Sequence, residues 1–268
     1  MHITNQISRC FGKFAKKKFA KPIQSVINKG YVKFLGLDMS EFKDASEYGS
    51  LNDLFTRALE KPRDINQEET NFISPTDSLI SECGNIKNDT LMQIKGMEYN
   101  VEELLTYHCT NNFDRIFDGE YMNFYLSPKD YHRYHAPCDF KVTKLIHVPG
   151  KLYPVNFKYL NKELGLFVQN ERVILECLKD DKLFYMIFVG ALNVGEMVFE
   201  FEPRVETNKK PDDIVVYEYD DLEIKKGDCL GYFKMGSTVV MLWEENFIKL
   251  NNLTNQKVSF GTIIADIK

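Results

Sequence analysis

Two short segments of the sequence hold side chains that can move protons or attack a carbonyl group. The first, residues 130–137, reads DYHRYHAP and contains His132 and His135, two of the five histidines in the chain. The second, residues 231–240, reads GYFKMGSTVV and places Ser237 after a glycine between two strand-like runs. A histidine pair suits acid–base chemistry or half of a metal site, and a serine becomes a nucleophile when a base takes its proton. Both segments also have plain structural interpretations, as satisfied surface histidines and as a hairpin turn.

A carboxylate that would complete a charge relay lies in a third segment, Ser74-Pro75-Thr76-Asp77. Asp, His and Ser side chains form a relay when the fold brings them together, but their spacing here does not decide this. The segment by itself also reads as a turn in which Asp77 binds nearby amides. Because Ser237 lacks the G-x-S-x-G motif, α/β-hydrolase chemistry gains no support. A hydrolase that keeps Ser237 uncleaved and uses it on a lipid ester remains an alternative.

Lys234 offers a second alternative, because a lysine at a corner between two strands is also found in biotinyl and lipoyl carrier domains. That interpretation explains neither the histidine segment nor the length of 268 residues. The sequence lacks the ligand spacing of a metal site. The other histidines are isolated, and the six cysteines are scattered with no C-x-x-C pair. We therefore predict no metal, and reduced buried thiols in place of a disulfide framework.

The elements that must position these residues change character along the chain. Helical spacing predicts two amphipathic helices, one from Ile7, Phe11 and Phe14 and one from Ile23, Val26, Ile27, Tyr31 and Phe34. A further helix is predicted around 51–59, and an extended segment at 72–75. Strand-like runs follow at 121–126, 140–147, 172–178, 183–189, 196–201, 229–233 and 238–243. Helices followed by strands predict an α+β fold, with N-terminal amphipathic helices and then a predominantly antiparallel β body.

Charge is distributed unevenly between the N-terminal region and the remainder. The first 37 residues carry eight Lys and Arg residues and no Asp or Glu, whereas all 39 acidic residues lie in the rest of the chain. A basic leader suits an anionic membrane surface or nucleic acid, although the acidic body has no nucleic-acid recognition motif. Packing of these helices on the body, with solvated lysines, explains the pattern equally well. We find neither a run of about 20 apolar residues nor a signal peptide, which predicts a cytoplasmic or peripheral protein.

Together these segments resemble the phosphatidylserine decarboxylase family, because several separate motifs occur in the order that the family shows. Residues 233–239 are similar to the family's self-cleavage motif, and residues 130–137 to its histidine segment. Further matches are Leu54-Phe55-Thr56-Arg57, Gln93-Ile94-Lys95-Gly96 with Tyr99, Val155-Asn156, Asn170-Glu171-Arg172 and Val189-Gly190-Ala191 with Asn193-Val194-Gly195. The chain departs from the family where Met235 replaces another aliphatic residue and where Ser78, not glycine, follows Asp77.

The resemblance implies that the chain cleaves itself between Gly236 and Ser237. His135 would take the proton of the Ser237 hydroxyl, and Asp77 would hold and polarise its imidazole. Ser237 would become a covalent pyruvoyl group, leaving a β chain of residues 1–236 and an α chain of residues 237–268. These two chains would form a heterodimer, and whether two heterodimers associate is left open by the sequence.

The family's activity implies that the pyruvoyl group forms a Schiff base with phosphatidylserine and that phosphatidylethanolamine and CO₂ are the products. His132 would be the acid that protonates the decarboxylated intermediate. Residues 1–37 would form a membrane-associating unit on an anionic surface, and residues 38–268 the catalytic domain. The expected location is peripheral, on the cytoplasmic face of the cell membrane, with no nucleic-acid partner.

Overall fold

The structure is a computed structural model that describes residues 12–87, 91–94, 97–153, 165–191, 196–208, 213–234 and 237–268. Its helices are α1 (Lys21–Leu35), α2 (Leu51–Phe55), α3 (Val101–Leu105), α4 (Phe113–Ile116) and α5 (Leu166–Gln169), with 3₁₀ turns at Ala45–Glu47 and Tyr107–Asn112. The strands are β1 (Asn71–Ile73), β2 (Ser78–Asn85), β3 (Leu91–Ile94), β4 (Met97–Asn100), β5 (Glu120–Leu126), β6 (Arg133–His135), β7 (Phe140–Val148), β8 (Arg172–Lys179), β9 (Lys182–Val189), β10 (Met197–Phe199), β11 (Val215–Ile224), β12 (Cys229–Phe233), β13 (Ser237–Trp243), β14 (Ile248–Leu250), β15 (Lys257–Val258) and β16 (Ile263–Ile267).

An antiparallel sheet of eight strands forms the body of the protein. Its strand order is β11-β7-β8-β9-β13-β5-β2-β15, and a smaller sheet of order β10-β12-β6 lies beside it. Every pair of neighbouring strands in both sheets is antiparallel. The predicted α+β class with a predominantly antiparallel β body is therefore confirmed.

The centre of the large sheet is buried on both faces. In β9, every residue from Leu183 to Val189 is buried, so side chains that point to opposite faces are both covered. On one face, the ring of Phe72 meets Phe184, Trp243 and Phe247 edge-on, with centroids 5.3 to 5.7 Å apart. Because β13 runs between β9 and β5, Ser237 begins a strand that the core holds firmly in register.

Helix α1 turns its apolar stripe away from the body. Its inner face carries Gln24 and Asn28, which bond to each other, and Asn28 also donates to the carbonyl oxygens of Ala45 and Tyr48. Val26 and Phe34 on the outer face are 73% and 86% exposed. Of the apolar residues predicted to share one face, Tyr31 instead packs inward against Leu51 and Leu54. Gly36, with φ of 64°, ends the helix in a left-handed turn.

The structure also differs from the predicted elements at several boundaries. The helix predicted at 51–59 ends at Phe55, and Ser50 caps its first turn by accepting from the Asp53 amide at 3.1 Å. Strand β11 lacks an apolar run because it lies at an edge of the sheet and is largely exposed. The earlier helix predicted from Ile7 lies mostly outside the described residues, although 12–16 are helical.

The cysteines within the described ranges are free thiols, as the sequence predicts. Cys10 lies outside those ranges. Cys109, Cys138 and Cys177 are buried, whereas Cys83 and Cys229 are half-buried.

Candidate active site

Two chain segments cross together from the large sheet to the small one, and these segments carry the predicted site. Strand β5 pairs with β13, while β6, which follows β5 in the chain, pairs with β12, which precedes β13. Leu126 lies opposite Ser237 on one side of the crossing, and Arg133 lies opposite Tyr232 on the other. The described ends of the two links are therefore neighbours, one link leading into the histidine segment and the other belonging to the cleavage motif.

The Gly-Ser corner is accordingly not a hairpin turn. Strand β12 pairs with β10 and β6, whereas β13 pairs with β5 and β9. Met235 and Gly236 lie outside the described residues, and Ser237 is described through its backbone, as the first residue of β13. Immediately before the corner, the amide of Phe233 donates to the carbonyl oxygen of His132 at 2.9 Å. This bond ties the first histidine to the strand that leads into the cleavage motif.

His132 is completely buried, and one of its ring nitrogens has no hydrogen-bond partner among the described residues. Its Nδ1 donates to the carbonyl oxygen of Asp130 at 2.7 Å, and the ring of Phe55 lies 4.0 Å from its own. Among the described residues, Nε2 has no hydrogen-bond partner. Burial, and then the positive charge of Arg57, lower the pKa of His132 to about 3, so the imidazole is neutral at pH 7. Because Nδ1 carries the proton, Nε2 offers a lone pair.

His135 is fixed from three sides. Its Nδ1 donates to the carbonyl oxygen of Gly227 at 3.0 Å, and Nε2 accepts from the hydroxyl of Tyr131 at 3.1 Å. The ring of Phe260 stacks on the imidazole with centroids 3.8 Å apart and an angle of 13°. Burial, assisted by the charge of Arg133, lowers the pKa of His135 to about 4. The neutral ring therefore also has its basic nitrogen at Nε2.

Asp77 lies beside His135 but does not hold its imidazole directly. Its two oxygens accept from Arg63 at 2.5 and 2.9 Å, and one also accepts from the amide of Phe260 at 2.7 Å. The family resemblance predicts that Asp77 holds and polarises the imidazole of His135. In the structure Nδ1 of His135 donates to the Gly227 carbonyl, and the carboxylate binds the guanidinium of Arg63. Asp77 reaches the histidine in two other ways. It fixes the Phe260 backbone under the stacked ring, and its charge acts to raise the pKa of His135, against the larger effect of burial.

The backbone brings the Asp77 segment to the histidines. The amide of His135 donates to the carbonyl oxygen of Pro75 at 2.9 Å, and the amide of Ile73 donates to that of Pro137, also at 2.9 Å. The sequence contains no local signal for the contacts that Gly227 and Phe260 make with His135. Both residues are distant from His135 in the chain, and only the fold brings them to it. Tyr131 was visible, as the aromatic residue immediately before His132.

Two of the buried polar atoms that lack a partner among the described residues lie in the histidine segment or next in the chain to the cleavage site. They are Nε2 of His132 and the hydroxyl oxygen of Thr238. Thr238 follows Ser237 in β13, so its side chain points to the other face of the strand. Nε2 of His132 is therefore the unengaged hydrogen-bonding atom of the histidine segment that suits a carbonyl-bearing group, and in this respect the surroundings fit a pyruvoyl group.

Lys234, the residue that would carry a biotinyl or lipoyl group, is half-buried and engaged. Its Nζ binds Glu196 at 2.5 Å, and the second oxygen of Glu196 accepts from Lys16 at the same distance. The described part of the chain contains no cluster of three or more His, Cys, Asp or Glu side chains suited to a metal ion.

A second candidate surface is the outer face of α1. Ile23, Val26 and Phe34 are exposed there, and Lys29 and Lys33 flank them along one side of the helix. An apolar stripe edged with lysines is the composition of a helix that lies in a membrane interface. Within the described ranges, no helix is long and apolar enough to cross a membrane.

Comparison with known proteins gives a consistent result over almost the whole chain. A family model described as phosphatidylserine decarboxylase matches residues 51–266. The chain is 44% identical to the phosphatidylserine decarboxylase proenzyme of Campylobacter jejuni, over 99% of this chain and 100% of the relative. The proenzyme of Helicobacter pylori J99 is also 44% identical, over 98% and 97% of the two chains. That of Francisella philomiragia is 36% identical, over 96% and 92%.

Proposed function

The chain belongs to the phosphatidylserine decarboxylase family, and we propose that it converts phosphatidylserine to phosphatidylethanolamine and CO₂ with a pyruvoyl group made from its own Ser237. The family resemblance predicted from the motifs is thereby confirmed, and with it the assignment as a decarboxylase. The observation that supports the mechanism is the paired crossing of β5–β6 and β12–β13, which lays the histidine segment along the cleavage motif.

Maturation begins with the Ser237 hydroxyl. Its oxygen attacks the carbonyl carbon of Gly236, the peptide nitrogen leaves, and an ester joins the two residues. Elimination across Cα and Cβ of residue 237 then releases the Gly236 carboxylate and leaves a dehydroalanine. Addition of water and loss of ammonia convert that residue into the pyruvoyl group. The bond that breaks is therefore the 236–237 link, and no external reagent other than water is consumed.

His135 is the base of this first step. It is neutral, since burial lowers its pKa to about 4, and its proton resides on Nδ1 toward Gly227. Nε2 accepts the serine proton after its hydrogen bond from the Tyr131 hydroxyl has broken. Asp77 is a positioning residue that acts through its charge and through the Phe260 ring, while Arg63 holds the carboxylate in place.

His132 serves the decarboxylation. When formed, the pyruvoyl group supplies an electrophilic carbonyl that binds the substrate amine and accepts the electron pair left by CO₂. The chain must deliver a proton to the carbon that lost CO₂. His132 is suited to this because its bare Nε2 faces no competing partner among the described residues, so it takes up and returns a proton at that atom.

The two cleavage products remain together as a heterodimer. Strand β13 of the 237–268 chain lies between β9 and β5, and β16 lies between β1 and β14. Cleavage at the corner breaks none of these pairings, because the strands on either side of it belong to different sheets.

Residues 1–37 attach the enzyme to the anionic cytoplasmic face of the cell membrane. The outward apolar stripe of α1 and its lysines support this, since each basic residue near such a surface contributes about 1 kcal/mol. In liposome sedimentation, Val26→Glu is expected to weaken binding about tenfold. Tyr107→Glu, which changes another exposed apolar residue far from α1, is the control, and equal binding of both variants would contradict the attachment.

The deciding experiment is the intact mass of the purified, active protein under denaturing conditions. We expect a fragment of residues 237–268 that is about 17 Da lighter than the serine-initiated peptide, because a pyruvoyl group has replaced serine. A single chain of 31.3 kDa in a preparation that makes phosphatidylethanolamine would overturn the pyruvoyl mechanism. The same single chain without decarboxylase activity would favour an arrested precursor, or a hydrolase that uses Ser237 intact.

A further inference from the structure

Arg57 is a buried cation whose guanidinium is only partly satisfied. The residue is 2% exposed, and its Nη2 donates to the carbonyl oxygens of Lys129 at 3.1 Å and Asp130 at 3.4 Å. Nε and Nη1 are buried and have no hydrogen-bond partner among the described residues. Phe42 lies under the guanidinium, with its centroid 4.5 Å from Cζ. Nη2 is thus held against carbonyls and the guanidinium face against an aromatic ring, whereas the N–H groups of Nε and Nη1, which lie on different edges of the guanidinium, are bare.

The other arginines show that this is not how the fold treats a buried guanidinium. Arg172 is 3% exposed, and its Nε, Nη1 and Nη2 donate to the carbonyl oxygens of Leu104, Val168 and Glu103 at 2.6 to 2.8 Å. Arg63 makes bidentate contacts with Asp77 and Glu41. A buried charge without partners is costly, so bare N–H groups indicate a group that arrives later.

Arg57 and His132 are neighbours at one backbone carbonyl. Nη2 of Arg57 and Nδ1 of His132 both donate to the carbonyl oxygen of Asp130. Both side chains also have buried nitrogens without a partner among the described residues, Nε and Nη1 of Arg57 and Nε2 of His132. A ligand that extends beyond His132 therefore has a buried cation close by.

Arg57 also lies toward the membrane-facing helix. It follows α2, which packs through Leu51 and Leu54 against Tyr31 of α1. Its charge acts on Tyr31 and on Tyr48, which places the guanidinium on the α1 side of the site. Arg57 therefore lies on the side of His132 that faces α1. In a phospholipid, the phosphodiester likewise lies between the amino acid headgroup and the acyl chains.

We propose that Arg57 binds the phosphodiester of the lipid headgroup and so sets the depth at which the serine part reaches His132. This inference rests on the proposed function. A phosphodiester suits this cation because its oxygens accept charge-assisted hydrogen bonds, for which the N–H groups of Nε and Nη1 are available. The substrate carboxylate is the poorer occupant. Its negative charge leaves during decarboxylation, so a cation there would stabilise the ground state more than the transition state.

The test compares two soluble headgroup probes that both carry a primary amine and differ in their anion. Glycerophosphoethanolamine has a phosphodiester and no carboxylate, whereas O-methylserine has a carboxylate and no phosphate. Inhibition constants against phosphatidylserine decarboxylation are measured for the wild-type protein, Arg57→Gln, Arg57→Lys and the surface control Arg204→Gln. Arg57→Gln is expected to weaken glycerophosphoethanolamine about 10- to 100-fold and O-methylserine by less than about twofold. Arg57→Lys, which keeps the charge but not the fork, falls between, and Arg204→Gln leaves both constants unchanged.

Equal weakening of both probes, no weakening of either, or selective weakening of O-methylserine would each overturn the assignment. If Arg57→Gln yields no fragment 237–268, the ratio of the two constants in Arg57→Lys decides, and a wild-type ratio refutes the proposal. The proposed function is tested separately, by that fragment and by phosphatidylethanolamine formation in the wild-type protein. Its failure would appear there, before any variant is compared.

Discussion

Two regions of the molecule bury the same kinds of polar side chain in opposite ways. Around the start of β8, Arg172 donates to a ring of carbonyl oxygens and His147 meets Glu171 at 2.9 Å. Asn170 there bonds the backbone of Tyr153 and Gly190. Around the start of β13, Arg57, His132 and the Thr238 hydroxyl keep atoms that no described residue satisfies.

Under the proposed function, the first set of residues holds the fold and the second acts on a ligand. Both regions match motifs of the family, in Asn170-Glu171-Arg172 and in the histidine segment. Buried polar groups with complete partners stabilise one packing, whereas buried groups without partners cost stability and are kept for another reason. We call the first the β8 buttress (His147, Asn170, Glu171 and Arg172) and the second the β13 site (Arg57, His132, Ser237 and Thr238).

The largest effect is expected from Ser237→Ala. Without the hydroxyl no fragment 237–268 forms, and phosphatidylethanolamine formation falls by at least about four orders of magnitude. Stability in denaturant should change by less than about 1 kcal/mol, because the change removes one small polar group. Ser40→Ala, at an exposed position, is the control and stays cleaved and active. Cleavage of the Ser237→Ala variant would show that the Ser237 hydroxyl is not the nucleophile of the self-cleavage.

Substitutions of the two histidines should affect different steps, His135 the self-cleavage and His132 the decarboxylation. His135→Ala is expected to leave most of the chain uncleaved, because the base for Ser237 is lost. His132→Ala is expected to be cleaved and to decarboxylate about 10²- to 10⁴-fold more slowly. Intact mass reports the first step, and phosphatidylethanolamine formation by the cleaved protein reports the second. Identical behaviour of the two variants in both assays would show that the roles are not divided.

Substitutions in the β8 buttress should lower the stability of the protein. Arg172→Met leaves several carbonyl oxygens without donors and is expected to lower the free energy of unfolding by about 3 kcal/mol or more. Arg57→Met should change it by about 1 kcal/mol or less, since two of its nitrogens have no partner to lose. Both are measured by urea denaturation in the Ser237→Ala background, where the chain is intact. An equal loss of unfolding free energy in Arg172→Met and Arg57→Met would contradict the distinction between the two regions.

The last prediction concerns the loss of stability at acid pH. The folded-state pKa values of His132 and His135 are about 3 and 4, below the usual 6.5, with Arg57, Arg133, Arg63 and Asp77 as the charged groups around them. The unfolded chain therefore binds more protons below pH 6.5. Stability is complete above about pH 7 and falls as the pH drops toward 4, by up to about 1.4 kcal/mol per pH unit for each histidine.

His132→Asn tests this slope in the uncleaved Ser237→Ala background. Removing one histidine should flatten the fall between pH 6.5 and 4 by up to about 1.4 kcal/mol per pH unit. An unchanged slope would mean that His132 is not buried as a neutral ring.

Local sequence was enough for the central strands of the large sheet, although it missed β2 (Ser78–Asn85), and for the residue types at the site. The runs at 172–178, 183–189 and 238–243 became β8, β9 and β13 almost without change, because apolar β-branched and aromatic residues in a buried strand leave few alternatives. Strand β11 and the end of α2 were missed or displaced. Their outcome depends on an edge position and on a cap, neither of which produces an apolar pattern.

What the sequence determined by itself is the set of reactive types, Asp77, His132, His135 and Ser237, and the basic, amphipathic character of the first 37 residues. Only the tertiary structure decided which nitrogen of each histidine is bare, that Gly227 and not Asp77 takes Nδ1 of His135, and that α1 turns its apolar stripe outward. The reason is physical: a side chain's chemistry is encoded by its identity. Its tautomer, charge and exposure depend on carbonyls, rings and guanidiniums that approach from distant parts of the chain.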